Sequence, residues 1–166
     1  MAAIYPRRDA VPLDIWLQFF SSAQREIDVL DSDAQFLAGL KGVMAAVAER
    51  AVAGVKVRIC LAGLADRLVA GTDGAVDLAP ADSDQMSLEG FCRLQEAGQV
   101  LVRLHRAELP SSIYRADGEL LICQHAHGIP AARSPVLWLR HADGDMVSAY
   151  LDAFERARAD AQSAAS

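Results

Sequence analysis

Two short apolar runs on either side of one long amphipathic stretch constrain the fold of this chain more than any other feature. Residues 27–31 predict a short buried strand, and residues 55–61 are dense in the β-branched residues that strands favour. Between them, residues 34–53 repeat apolar side chains at helical spacing, and Gly54 follows as a helix-ending residue. A strand, a helix and a strand in this order predict two parallel strands joined by a crossover helix.

The rest of the chain predicts more elements of both kinds. Apolar stripes indicate helices that begin near Leu13 and that cover residues 84–97 and 144–161. Strand-like runs cover residues 100–105, 112–115, 119–125 and 135–140. Asp117-Gly118 between two of these runs is a hairpin signal. Together these elements predict an α/β fold in three layers, with a mixed sheet flanked by helices.

Length and composition indicate a single globular domain over residues 1–166. The chain has 166 residues, of which 52% are hydrophobic and 23% charged, so it can bury a core without disulfides or metal ions. We expect an irregular arm over residues 1–12, a long loop over residues 62–83 and a frayed tail over residues 162–166. Loops as long as this one are usually functional lids or disordered.

The charge balance excludes several classes of function. The net charge is −6, and no basic cluster is present that would bind phosphate backbones, so we expect no direct contact with nucleic acid.

No stretch approaches the length of a membrane span or of a signal peptide, which predicts a soluble, cytoplasmic protein without a membrane partner. The three cysteines are widely spaced in apolar runs, so we expect buried reduced thiols.

The second half of the chain carries a recognisable pattern. SSIYRADGELLICQHAHGIPAARSPVLWLRH, followed by YLDAFERARADA, resembles a domain of unknown function that is common in actinobacterial regulators. In that family the domain usually follows a helix-turn-helix and is related to the phospholipase D superfamily. The resemblance implies a fold like one half of a phospholipase D-like enzyme. It also implies a homodimer, because single-copy domains of this kind tend to pair.

The catalytic motif of that superfamily does not match this chain. Its enzymes use His-x-Lys-x4-Asp followed six residues later by Gly-Ser-x-Asn. When Asp117 is taken as the motif aspartate, Pro110 stands at the nucleophile position and Ser112 at the phosphate-binding lysine, and residues 124–127 read Gln-His-Ala-His. The resemblance therefore implies a degenerate phospholipase D-like pocket that does not hydrolyse phosphodiesters.

Two pairs of polar residues are candidates for a new site in that pocket. Strand alternation places His125 and His127 on one face, where imidazoles could perform acid-base chemistry or hold a ligand; alternatively they bond to backbone carbonyls at a strand end. Asp31 and Asp33 follow the first strand, at the edge where α/β sheets bind ligands. Asp33 is alternatively the N-cap of the next helix, and the four residues together could hold a metal ion, although we predict none.

Further residues are candidates for the same pocket. Tyr114 shares strand parity with Ser112, and Trp138 offers either a flat wall for a ring-shaped ligand or a core side chain. The candidate ligand-binding residues are His105, Ser112, Tyr114, Arg115, Asp117, His125, His127, Trp138 and Asp33. Arg115 and Asp117 have a second interpretation, as a structural ion pair.

Two functions remain open at this point. The first is a small-molecule-binding domain of the sensor type, with a degenerate pocket. The second is a stand-alone enzyme of specialised metabolism whose catalytic residues are His127, His125 and Asp31. Loss of the family's His-x-Lys pair favours binding, whereas the new histidines and carboxylates favour an enzyme. We expect no cofactor, and the partner in either case is a small molecule.

Overall fold

A computed structural model describes residues 2–62, 81–107, 109–140 and 144–163. Within these residues the strands are β1 (Ala2–Tyr5), β2 (Glu26–Asp31), β3 (Lys56–Ala62), β4 (Val100–His105), β5 (Ser111–Ala116), β6 (Glu119–Gln124), β7 (Val136–Leu139) and β8 (Gln162–Ser163). The helices are α1 (Leu13–Ser21), α2 (Ala34–Gly39), α3 (Val43–Val52), α4 (Ala81–Leu94) and α5 (Asp145–Asp160).

The described strands form one mixed sheet in the order β1-β7-β6-β5-β2-β3-β4-β8. Strands β2 and β3 are parallel, as the crossover between them predicts, and β4 pairs with β3 in the same direction. Strands β5, β6 and β7 continue from β2 as an antiparallel meander. The junction between the parallel and antiparallel halves lies between β2 and β5, and it places the end of β2 beside the beginning of β5.

Each face of the sheet carries its own apolar layer. Helices α1 to α4 cover one face, where Trp16, Phe20 and Phe91 are fully buried against sheet residues such as Val29 and Tyr114. Helix α5 covers the other face through Phe154 and Ala157, which pack with Leu30, Cys60 and Ile113. The predicted α/β architecture with a mixed sheet in three layers is confirmed.

The long crossover helix is divided in two. The apolar pattern predicts one helix over residues 34–53, but α2 ends at Gly39 and α3 begins at Val43. Gly42 between them has a φ of 84°, a left-handed conformation that favours glycine. The apolar period continues across the break because both helices face the same core, which is why the pattern did not reveal it.

Both ends of the chain contribute strands that the sequence did not predict. The expected irregular arm contains β1, which pairs with β7, and the residues of the expected frayed tail include β8, which pairs with β4. These short edge strands have weak local signals, since pairing with an existing edge supplies most of their order. Apart from its two ends, the predicted long loop of residues 62–83 lies outside the described residues. Among the described residues, no helix has the length and hydropathy that crossing a bilayer requires.

Candidate functional site

A polar cluster lies at the carboxyl end of β2, inside the layer covered by α1 to α4. Asp31 is the last residue of β2, and Ser112 lies near the start of the antiparallel neighbour β5. His125 follows β6 directly, and the register that pairs Ser112 with Cys123 brings its imidazole to the same place. The sheet topology therefore joins three polar side chains that are far apart in sequence.

Asp31 is the centre of this cluster and is only 1% exposed. Its Oδ1 accepts hydrogen bonds from the Ser112 hydroxyl at 3.0 Å and from the Asp33 amide at 2.9 Å. Its Oδ2 accepts a hydrogen bond from the Tyr114 hydroxyl. Burial raises the pKa of Asp31, while Arg8 and the Tyr114 hydrogen bond act in the opposite direction.

Arg8 supplies the positive charge that this buried carboxyl needs. Its guanidinium Nη2 donates to Asp33 Oδ2 at 2.8 Å, and its Nη1 lies 3.9 Å from Asp31 Oδ1. The guanidinium stacks 3.6 Å from the centre of the Phe36 ring, and Arg8 is 2% exposed. A charge buried this deeply is tolerated because it is paired. Asp33 stands at the N-cap position of α2, as one interpretation of it expects, but its side chain makes no cap hydrogen bond and pairs with Arg8 instead.

His125 uses both ring nitrogens within the protein. Its Nε2 lies 3.0 Å from Ser112 Oγ, and its Nδ1 lies 3.1 Å from the Leu109 carbonyl oxygen. One nitrogen thus bonds to a backbone carbonyl, as the structural interpretation of this residue expects, and the other is connected to Asp31 through the Ser112 hydroxyl. The ring is held in place rather than free to rotate.

A cavity of about 390 Å³ opens beside this cluster. It is lined by Ser32, Asp33, Leu109, His125, Ala126, His127, Gly128, Ile129 and Ala131. His127 is exposed in the turn after β6 and lines the cavity. The structure therefore brings His125, His127 and Asp33 to one cavity, with Asp31 and Ser112 buried directly behind the His125 ring.

Tyr114 and Ser112 are part of the network but do not line the cavity. Both are 0% exposed, and Tyr114 packs edge-to-face against Trp16 at a centroid distance of 5.0 Å. Trp138 lies on the same face of the sheet but near the other end of the strands, where its Nε1 donates to Glu119 Oε2 at 3.0 Å. It does not line the cavity.

Arg115 and Asp117 are placed away from the cavity. Arg115 projects from the opposite face of the sheet, where its guanidinium pairs with Glu26 at 2.7 Å and with Asp28 at 3.2 Å. The Asp117 carboxylate accepts hydrogen bonds from the backbone amides that lead into β2, those of Gln24, Arg25 and Glu26. The expected side-chain pair of Arg115 with Asp117 is absent, because Arg115 Nε donates instead to the Asp117 carbonyl oxygen.

His105 lines a different cavity, of about 250 Å³, between the sheet and α5. Its Nδ1 accepts a hydrogen bond from the Ala107 amide at 3.1 Å. Because the two cavities lie on opposite faces of the sheet, His105 does not share a site with His127. Within the described residues, no group of three or more His, Cys, Asp and Glu side chains is arranged to hold a metal ion.

Sequence reasoning missed Arg8 and the apolar side of the cavity, Leu109 and Ile129. Arg8 belongs to a segment with no strand or helix pattern, and its neighbour Arg7 is exposed, so nothing in the sequence distinguishes the buried arginine from the exposed one. The pairing of β1 with β7 and the bond from the Arg8 amide to the Ser134 carbonyl help to place this segment over the site, and both are contacts with residues distant in sequence. Gly128, in contrast, lies within the stretch SSIYRADGELLICQHAHGIPAARSPVLWLRH that carries the family resemblance.

Comparison with known proteins identifies the fold. No family model matches the chain, and no curated protein matches it in sequence. Among solved structures, the phospholipase D family member Nuc from Salmonella typhimurium aligns with a TM-score of 0.60 at 12% identity, covering 100% of this chain and 97% of that one. NucT from Helicobacter pylori aligns with a TM-score of 0.61 at 11% identity over 98% of both chains.

Longer proteins contain the same fold as a part. TrmBL2, an archaeal chromatin protein, aligns with a TM-score of 0.64 at 16% identity, covering 97% of this chain but only 53% of its own. The phosphatidylserine synthase of Haemophilus influenzae aligns with the same score at 15% identity, over 39% of its own length. At such low sequence identities, these structural alignments establish only the fold.

Proposed function

The fold is that of the phospholipase D superfamily, and we propose that this protein uses it to bind a small molecule. The ligand occupies the cavity formed by the turn after β6 and the start of α2. The observation that carries this proposal is the arrangement of His127, His125 and Asp33 around one opening of about 390 Å³. Cavities of this size, with a few convergent polar groups and apolar neighbours, are typical small-molecule sites.

The replaced motif positions support binding rather than phosphodiester hydrolysis. In the motif alignment, Pro110 occupies the nucleophile position and has no nucleophilic atom. Ser112 occupies the position of the phosphate-binding lysine, and its hydroxyl is already engaged with Asp31 and His125. A neutral, fully buried hydroxyl does not supply the positive charge that a lysine ammonium brings to a phosphate group.

A second candidate, an enzyme that uses acid-base chemistry, has one specific observation in its favour. His125 at the cavity wall is connected through Ser112 to the buried Asp31, and perturbed carboxyls linked to histidines are frequent in active sites. His127 is then the group that contacts a substrate, because both nitrogens of His125 are engaged within the protein.

A fragment-binding experiment tests the ligand-binding proposal. The full-length, isotope-labelled protein is titrated with a library of small polar fragments and followed by two-dimensional NMR. We expect hits that shift the backbone signals of His127, Gly128 and Ile129, and His127→Ala should weaken them without lowering the melting temperature. His105→Ala is the matched control, because it alters the cavity on the opposite face. Fragments that bind the wild type and the His127→Ala variant equally tightly would contradict the proposal.

Two assays address the other expectations. Bis-p-nitrophenyl phosphate, DNA and phosphatidylcholine should show no turnover above a double variant, His125→Ala with His127→Ala. Turnover lost in that variant would overturn the binding proposal in favour of hydrolysis.

We also propose a cytoplasmic homodimer, burying about 800 Å² on each subunit as stable interfaces of standard size do. Light scattering at micromolar concentration should give twice the monomer mass.

A further inference from the structure

The hydrogen bonds around His125 determine how many protons the site holds. The Leu109 carbonyl oxygen can only accept, so the Nδ1 that lies 3.1 Å from it carries a hydrogen. Ser112 Oγ lies 3.0 Å from Asp31 Oδ1 and 3.0 Å from His125 Nε2, but a hydroxyl has one hydrogen to donate. Ser112 therefore donates to one neighbour and accepts from the other.

Two arrangements satisfy these contacts. In the first, His125 Nε2 donates to Ser112, which donates to an ionised Asp31, so the imidazole is positively charged. In the second, a protonated Asp31 donates to Ser112, which donates to a neutral His125. Both arrangements contain the same number of protons. They differ only in whether the shared proton is bound to Asp31 or to His125.

The surrounding charges are compatible with one proton held between Asp31 and His125. Arg8, from the N-terminal segment, pairs directly with Asp33 at the start of α2. Within the described residues, the other titratable groups that face Asp31, Ser112 and His125 are Tyr114 on β5, Cys123 on β6 and His127 in the following turn. With one shared proton, Asp31 and His125 together carry no net charge in either arrangement. Without that proton, an ionised Asp31 would face the Arg8 guanidinium, whose Nη1 lies 3.9 Å away and whose Nη2 already pairs with Asp33.

We propose that Asp31, Ser112 and His125 share one proton, which moves between the buried carboxyl and the imidazole through the Ser112 hydroxyl. In the transfer, the Asp31 O–H bond breaks as a new Ser112 Oγ–H bond forms, and the former Ser112 hydrogen passes to His125 Nε2. No proton is exchanged with solvent. Ser112 and Asp31 are positioning residues, because they act on the cavity only through His125.

This relay has a consequence for the proposed ligand site, on which this part of the inference rests. The cavity wall at His125 can be neutral or positively charged without a conformational change. A negatively charged ligand group beside the ring would draw the proton to His125, and a positively charged group would send it to Asp31. The relay itself is a property of the ligand-free protein and can be tested without a ligand.

The test observes the histidine ring nitrogens by NMR in the full-length protein with ¹⁵N-labelled histidine. At about pH 8, above the usual range of an imidazole, we expect the Nε2 signal of His125 to lie toward the protonated position relative to that of His127. In Ser112→Ala and in Asp31→Asn the relay is broken, and this signal should move to the position of a bare nitrogen. The Nδ1 hydrogen, held by Leu109, should remain.

The controls separate the relay from a general structural effect. Ser111→Ala makes the same change at the neighbouring residue, which faces the other side of the sheet, and should leave the His125 signals unchanged. The signals of His105 and His127 should not move in any variant. A His125 Nε2 signal that is already that of a bare nitrogen in the wild type, or that is equal in all variants, would overturn the relay while leaving the ligand-binding proposal intact.

Discussion

The guanidinium of Arg8 and the carboxyl of Asp31 face each other in the interior, with Nη1 and Oδ1 3.9 Å apart and each side chain 1% exposed. Asp31 ends the central strand, whereas Arg8 belongs to the segment that closes over it from the N-terminus. The pair therefore anchors the first residues of the chain to the site. It also holds Asp33, through the second guanidinium nitrogen, at the edge of the cavity.

Removal of this buried cation should destabilise the protein strongly. Arg8→Met keeps much of the side-chain volume but removes the buried cation that faces Asp31 and pairs with Asp33, and breaking a buried pair typically costs about 3–5 kcal/mol. Urea unfolding at neutral pH measures the loss, and a smaller loss is expected at acidic pH, where Asp31 is protonated. Arg7→Met is the control, because Arg7 is exposed. Equal stabilities of the two variants would show that the buried pair contributes nothing.

The raised pKa of Asp31 predicts a particular pH dependence of stability. Burial is the main cause of the increase, so the stabilising contribution is present below the ordinary carboxyl pKa of about 4 and is lost as pH rises through the raised value. Asp31→Asn cannot ionise and should lack this dependence. The free energy of unfolding of the wild type minus that of the variant should therefore fall as pH increases. A difference that rises with pH would mean that the pairing with Arg8 outweighs burial.

Asp117 should stabilise the hairpin end of the sheet. Its carboxylate accepts amide hydrogen bonds from Gln24, Arg25 and Glu26, and its φ of 53° is a left-handed conformation that Asp and Asn tolerate better than Ala. Asp117→Ala should cost about 1–3 kcal/mol, and Asp117→Asn should cost less. Thermal and urea unfolding of the three proteins provide the comparison, and an equal loss in both variants would contradict the hydrogen-bond account.

The same residue should contribute to acid sensitivity. Burial by itself would raise the pKa of Asp117, but the three amide hydrogen bonds outweigh it and the pKa is lowered. Its stabilising contribution is therefore present above the ordinary carboxyl pKa and is lost as pH falls through the lowered value. The wild type should lose its advantage over Asp117→Ala only in strongly acidic solution, as unfolding curves at successive pH values would show.

Two of the cysteines should be unreactive in the folded protein. Cys60 and Cys123 are buried, and burial raises the pKa of each thiol to about 11, so little thiolate exists at neutral pH. Cys92 is partly exposed on α4. Labelling with a chromogenic disulfide should modify Cys92 first and reach the other two only after denaturant is added. Rapid native labelling of Cys123 would show that the layer above the site opens readily.

The periodicity of the sequence predicted most of the sheet. All six predicted strands coincide with observed ones to within one residue at each end; the last, predicted over residues 135–140, is observed as Val136–Leu139. Local patterns suffice here because a buried strand needs continuous apolar residues whatever its neighbours are. The division of the crossover helix at Gly42 was not predicted, because the apolar stripe is unbroken and only the packing of two separate helices requires the turn.

The candidate site was determined less completely by the sequence. Asp31, His125 and His127 could be selected because strand ends and two-residue spacing are local features. Other features of the site depend on sheet register and on which segment covers which face. These are that Arg8 is buried, that Trp138 and Arg115 lie away from the cavity, and that both nitrogens of His125 are engaged. Such contacts join residues far apart in the sequence, as Asp31 and Tyr114 are at 83 positions, and no local pattern encodes them. The sequence therefore supplied the chemical groups, and the tertiary structure decided which of them meet, because hydrogen bonds and buried charges are satisfied only where distant segments pack together.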